Sequence, residues 1–203
     1  MQMRTDTLTI DVAGKRLTVR DTDGRSEELP YDALILGTGA VSVRPPIEGL
    51  SGPDALGPPD GVHLLHSMGD TFGIMQYLAA RRPKSAIVIG AGYIDLEMAE
   101  ALTTCGLNVT QIEAMPEAMP EVLPTVDPEL GALVHDELAS HGVEVITGTQ
   151  VSTITRAPSG GALHVRATGS DGRRFTRGTD LSWSSSAYGR TPPSPPPPER
   201  ISA

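Results

Sequence analysis

The residues best suited to chemistry are Gly90-Ala91-Gly92-Tyr93-Ile94-Asp95 and, 23 positions after Gly90, Glu113. The first group stands between an apolar run at 86–89 and a stretch of helical spacing that continues to about Thr104, and Glu113 closes a second apolar run at 109–113. A glycine turn from strand to helix lets the backbone approach a pyrophosphate and turns unpaired helix N–H groups toward its negative charge. An acid about 20 residues further on accepts hydrogen bonds from ribose hydroxyls. Glu113 would repel the extra phosphate of NADP, so the pattern favours NAD, read as NADH over NADPH. A glycine turn alone is common; the strand before it, the helix after it and the acid at this distance make the signal specific. The third fingerprint position normally holds Gly or Ala so that helix and strand pack closely, and here it is Asp95. An acid in the first helical turn suits the helix dipole by about 0.3–1 kcal/mol. It also adds bulk at a packing contact and charge beside the pyrophosphate, so the expectation is weakened nucleotide affinity on an intact fold.

The flanking text supplies the elements that position this turn. Residues 8–31 alternate and break at DGRSEELP, which reads as a hairpin or meander. YDALILGTGA reads as a short apolar strand ending at Gly37-Thr38-Gly39, and residues 41–66, dense in Pro and Gly, read as a linker. A helix is predicted over 68–82 from the spacing of Phe72, Met75, Leu78 and Ala79. Residues 85–113 read as a βαβ unit with Gly106 as the helix stop. A second helix over 128–140 carries Leu130, Leu133, Val134 and Leu138 on one face, and strands follow, including a hairpin around SDGR. From Ser182 the text turns to Ser and Pro repeats that suit no folded core.

The 203 residues suffice for one sizeable core plus part of a second. Aromatic residues are 3% of the chain, so the core must be aliphatic and small, the mark of a Gly-rich α/β protein. No apolar run approaches the roughly 18 residues of a membrane span, and the N-terminus lacks a signal peptide's apolar stretch, so a cytoplasmic protein with no membrane role is expected. A net charge of −9 disfavours nucleic acid as a partner. The single cysteine excludes an internal disulfide and a Cys-x-x-Cys pair; Cys105, at the end of the fingerprint helix, reads as a small buried hydrophobe. His63 and His66 have no acid or thiol at ligand spacing, so no metal site is expected.

On YDALILGTGA followed by RPPIEGL, and on SAIVIGAGYIDLEMAEAL, the chain resembles the pyridine nucleotide-disulfide oxidoreductases, in the branch of coenzyme A-disulfide reductases, NADH oxidases and NADH peroxidases. The resemblance spans about 8–181. It implies a Rossmann-like α/β NAD-binding domain with a three-layer arrangement at 85–181, joined by a crossover linker and helix at 51–84 to a partial FAD-binding domain, a meander plus one strand, at 1–50. It also implies that Thr38 and Gly39 contact a flavin, that Tyr93 covers the flavin as a gate for the nicotinamide ring, and that Glu97 lies near that ring. Gly90, Gly92, Ile94, Asp95 and Glu113 would bind the nicotinamide dinucleotide. The family's first flavin-binding unit, its redox cysteine and its dimerisation domain have no counterpart in this text, so FAD retention is not expected and a monomer is.

Three functions remain open on the residues. The chain is an inactive piece of an FAD- and NAD(P)H-dependent reductase of a disulfide, peroxide or oxygen, a stand-alone NAD-binding module, or the product of a damaged gene. For the last, residues 182–203 are expected to be a disordered tail translated out of frame, since a shifted reading can encode an apolar strand followed by Arg-Pro-Asn.

Overall fold

The computed structural model describes residues 5–37, 41–116, 128–157, 162–185 and 187–189. The chain divides into two compact units, Met1–Gly39 and Ala40–Ala203. In the first, β1 (Thr5–Asp11), β2 (Arg16–Asp21) and β3 (Ser26–Pro30) form an antiparallel meander in that order. Its second turn is held by Asp21, whose Oδ1 accepts from the backbone N–H groups of Asp23 and Arg25. The strand expected at 31–37 does not form, and Ile35 is 92% exposed. An apolar run becomes a strand only where a neighbour takes its backbone N–H and C=O groups; here Lys15 takes the Tyr31 N–H and the Asp32 carbonyl, and residues 33–37 gain no ladder partner among the described residues.

The second unit is built around a parallel sheet. Its elements are β4 (Val41–Val43), β5 (Val62–Leu65), α1 (Met68–Arg81), β6 (Ser85–Ile89), α2 (Tyr93–Thr104), β7 (Asn108–Ile112), α3 (Pro128–Ser140) and β8 (Glu144–Ile146). They are followed by β9 (Thr149–Arg156), β10 (Leu163–Gly169), β11 (Arg174–Thr179), β12 (Leu181–Ser185) and β13 (Ala187–Gly189). Among the described residues the parallel sheet has five strands in the order β5-β12-β6-β7-β8, and β9, β10 and β11 form an antiparallel meander. The strands' side chains alternate between two cores, as a pleated strand requires. Val62, Ile87 and Ile112 pack with Val151, Ile154, Leu163 and Val165 of the meander. Ala86, Val88, Val109, Leu181 and Trp183 face Ile74 of α1 and Ala99 and Leu102 of α2. The result is an α/β Rossmann-type fold in three layers: helices, parallel sheet, meander.

Five further expectations are corrected. The stretch 41–66, read as a linker, contributes a core strand and the buried Ile47, Leu50 and Leu56; its Pro and Gly residues shape turns that pack inward. On α1 the packed face is Ile74, Tyr77 and Leu78, whereas Phe72 and Met75 are exposed. The helix is rotated because Tyr77 must reach inward, its hydroxyl donating to the Asp180 carbonyl and its ring edge-on to His63. Leu130 and Leu133 of α3 are likewise exposed. Cys105 is exposed, because it caps α2 one residue before the left-handed Gly106, where the chain turns off the helix.

The fifth correction is the largest. The folded chain does not end at Leu181: residues 181–185 are β12, a central strand of the sheet, and residues 187–189 pair with β4. The gap between β5 and β6 can be closed only by a strand, and backbone pairing does not depend on the side chains being aliphatic. Trp183 is fully buried, with Ser182 and Ser184 nearly so. Asp180 sets the register of β12: its Oδ2 accepts from the backbone N–H groups of Lys84 and Ser85 and from the Ser85 hydroxyl.

His63 stands beside Trp183 in the parallel ladder and is 2% exposed; its Nε2 has no hydrogen-bond partner among the described residues. Burial pushes its pKa down to about 4 from 6.5, against a smaller opposing pull from Asp70. The unfolded chain therefore binds a proton below pH 6.5 that the fold refuses until about pH 4. Stability contributed by a neutral His63 is complete above that window and is lost as the pH falls through it, by at most about 3 kcal/mol. Urea unfolding at pH 7.5, 6 and 5 should show the midpoint falling with pH, and His63→Phe should remove much of that slope; an unchanged slope would exclude His63 as its source.

Candidate functional site

The Gly90-Ala91-Gly92 turn joins β6 to α2 at the C-terminal edge of the parallel sheet. Gly90 has φ 117°, a region that an L side chain rarely adopts, and the Cβ of any other residue there would lie 2.5 Å from Asp95 Oδ2. The turn is fastened on every side. The Gly90 N–H donates to the Ile112 carbonyl at 2.9 Å, and the Gly90 carbonyl accepts from Gln111 Nε2 at 2.9 Å. The Ala91 N–H donates to Glu113 Oε2 at 2.7 Å, and the Gly92 N–H donates to Asp95 Oδ2 at 3.1 Å.

Glu113 follows β7 and is half-buried; its own N–H donates to Ile146 and its Oε1 accepts from the Met115 N–H at 2.8 Å. Each carboxylate oxygen thus takes one backbone donor and keeps acceptor capacity for a ligand hydroxyl. Asp95, the third residue of α2, is 2% exposed and lies beneath the turn, with Oδ1 facing the indole Nε1 of Trp183 at 3.4 Å.

The structure brings Gly90, Gly92, Asp95 and Glu113 together. The side chain of Ile94 packs into the core between helices and sheet, so only its backbone can face a ligand. Tyr93, 47% exposed, and Glu97, one turn further along α2, share an exposed face. Glu97 also lines a groove of about 400 Å³ between α2 and α3 with Glu100, Val134 and His141. Thr38 and Gly39 lie outside the described residues. Two participants escaped sequence reasoning. Gln111 showed only as a polar residue inside an apolar run, and Trp183 was hidden in a serine stretch. No group of acids, histidines or thiols able to hold a metal occurs among the described residues, and no described helix is long and apolar enough to cross a membrane.

A helix leaves its first N–H groups without intrahelical acceptors. At α2 Asp95 takes that of Gly92, leaving those of Tyr93 and Ile94 to meet an anion. Together with Gly90 and Glu113, these are the groups of the turn that could meet the ribose and phosphates of a dinucleotide, whereas an Asp95 carboxylate would oppose the phosphates. Strand, glycine turn, helix, strand and acid in this geometry define a dinucleotide-binding Rossmann-type unit.

The family model of the pyridine nucleotide-disulphide oxidoreductases matches residues 1–192, and the chain belongs to that family, one of FAD- and NAD(P)H-dependent oxidoreductases. It is 34% identical over 163 residues to an NADH oxidase of Methanocaldococcus jannaschii, covering 79% of this chain and 34% of that protein. It is 35% identical over 114 residues to the coenzyme A disulfide reductase of Staphylococcus haemolyticus, covering 56% of this chain and 22% of that one. Among solved structures, the water-forming NADH oxidase of Lactobacillus brevis bound to NADH superposes with a TM-score of 0.70 at 29% identity, covering 92% of this chain and 38% of that chain. The chain therefore spans between about a fifth and two fifths of the length of these relatives.

Gly90→Ala should destabilise the protein by about 1–3 kcal/mol, through backbone strain and the collision with Asp95. In an Asp95→Gly background the collision is gone and the cost should shrink. Chemical denaturation of the single and double variants checks this, and equal costs in both backgrounds would show that Asp95 does not crowd the turn.

Proposed function

We propose that this chain is the nicotinamide-nucleotide half of an FAD-dependent oxidoreductase, holding NADH in preference to NADPH. The observation that carries the reading is Glu113, fixed by two backbone N–H groups at the end of β7 and hydrogen-bonded to the glycine turn itself. A carboxylate so placed accepts the two hydroxyls of an adenine ribose and repels a 2′-phosphate. The relatives act as NADH oxidase and coenzyme A disulfide reductase by name, which supports a disulfide, peroxide or oxygen as the eventual electron acceptor.

Bound NADH supplies a hydride at its nicotinamide ring. This chain's part is to grip the ribose through Glu113, to meet the phosphates with the N-terminus of α2, and to set Tyr93 and Glu97 on the exposed face where the family places a gate and a neighbour of the ring. Cys105 sits at the far end of α2 from the turn and takes no part. In this role the chain acts as a nucleotide-binding module.

Calorimetric titration tests this. NADH should bind at least tenfold more tightly than NADPH, and Glu113→Gln should erase most of that difference. Asp95→Gly should tighten NADH by about tenfold, or 1.4 kcal/mol, since it removes a buried charge near the phosphates. Equal affinities for NADH and NADPH would defeat the assignment of Glu113, and an unchanged affinity in Asp95→Gly would make Asp95 harmless.

A further inference from the structure

We propose that Asp95 and Trp183 form an internal latch that makes the glycine turn discriminate against pyrophosphate, so that the site takes a neutral nucleoside relatively better than a dinucleotide. The proposal rests on the dinucleotide reading above and specifies what that site selects.

The carboxylate is built in, being 2% exposed and wedged where Gly90 alone leaves room. Oδ2 accepts from the Gly92 N–H at 3.1 Å, so an internal carboxyl oxygen already holds part of the end of α2 that a phosphate would approach. Oδ1 faces the Trp183 indole N–H at 3.4 Å. That tryptophan is fully buried, and its backbone is laddered to His63 on one side and Val88 on the other. The carboxylate therefore cannot swing clear without disturbing the central strand of the sheet.

Three further polar groups of the turn are also satisfied from within, the Gly90 N–H by Ile112, the Gly90 carbonyl by Gln111 and the Ala91 N–H by Glu113. Glu113, by contrast, retains acceptor capacity for ribose hydroxyls, which carry no charge for Asp95 to repel. The two halves of the site thus prefer different chemistry: the ribose end accepts, and the phosphate end resists. Trp183 touches no ligand and is a positioning residue.

The test compares adenosine with ADP-ribose on the full chain by calorimetry. Asp95→Asn, which keeps size and removes charge, should tighten ADP-ribose at least tenfold and change adenosine less than twofold; Asp95→Gly serves as the second variant if the first folds poorly. Trp183→Phe, which removes the N–H and keeps an aromatic ring, should move the ADP-ribose to adenosine ratio at least threefold toward that of Asp95→Asn. In the Asp95→Asn background the same change should leave the ratio within twofold, whereas a merely structural role would weaken both ligands alike and leave the ratio unmoved in both backgrounds. A ratio that ignores Asp95→Asn and Asp95→Gly overturns the latch while sparing the dinucleotide site. Binding of neither ligand by any folded variant overturns the dinucleotide site itself and the latch's role with it.

Discussion

The second unit depends on closing the gap between β5 and β6. These two parallel strands are not neighbours; each presents a row of backbone N–H and C=O groups to the space between them, and in a buried sheet such groups must be paired. β12 fills that space, bonded to both at once. Its register is set at one end by Asp180, which gathers the N–H groups of Lys84 and Ser85. Once β12 is in place, α1 can pack through Ile74 and Tyr77, and the C-terminal ends of the strands form the edge on which the glycine turn stands.

The position of β12 explains why its composition matters at the site. On the helix side of the sheet a row of side chains follows the ladder from His63 through Trp183 and Val88 to Gln111. Three of the four carry polar atoms, unusual for the middle of a parallel sheet, where aliphatic residues dominate. Two of those three reach the turn, Trp183 through Asp95 and Gln111 through the Gly90 carbonyl. His63 has no such outlet and stays neutral under its aromatic neighbour. Through Trp183 and Gln111 the interior of the sheet is thus tied to the geometry of the turn.

Beneath the meander the electrostatics are simpler. Arg177 pairs with Glu144 and also donates to Thr110, tying β11 to β7 and β8 at the edge away from the turn. The hydrogen bond from Arg177 holds the Glu144 carboxyl below its usual range. Because the pair is partly exposed, it aligns the layers more than it stabilises them.

The sequence by itself determined the βαβ unit, its glycine turn and Glu113, because a strand, a tight turn, a helix and an acid at fixed spacing are local features readable over some thirty residues. It also determined the family, through two motifs in order, and the anomaly at Asp95. Only the tertiary structure decided the rest. Residues 41–66 looked like a linker, because their prolines and glycines signal turns whether or not those turns pack. Phe72 and Met75 fitted the helical period as well as Ile74 and Tyr77 do; period alone cannot say which face meets the sheet. Leu-Ser-Trp-Ser-Ser carried no sign of a central strand, since its place is dictated by the unpaired edges of β5 and β6, whose paired residues lie 120 and 95 positions away along the chain. The partner of Asp95 was invisible for the same reason: a carboxylate's environment is set by what the fold brings beside it, and the chain brings Trp183 from 88 positions downstream.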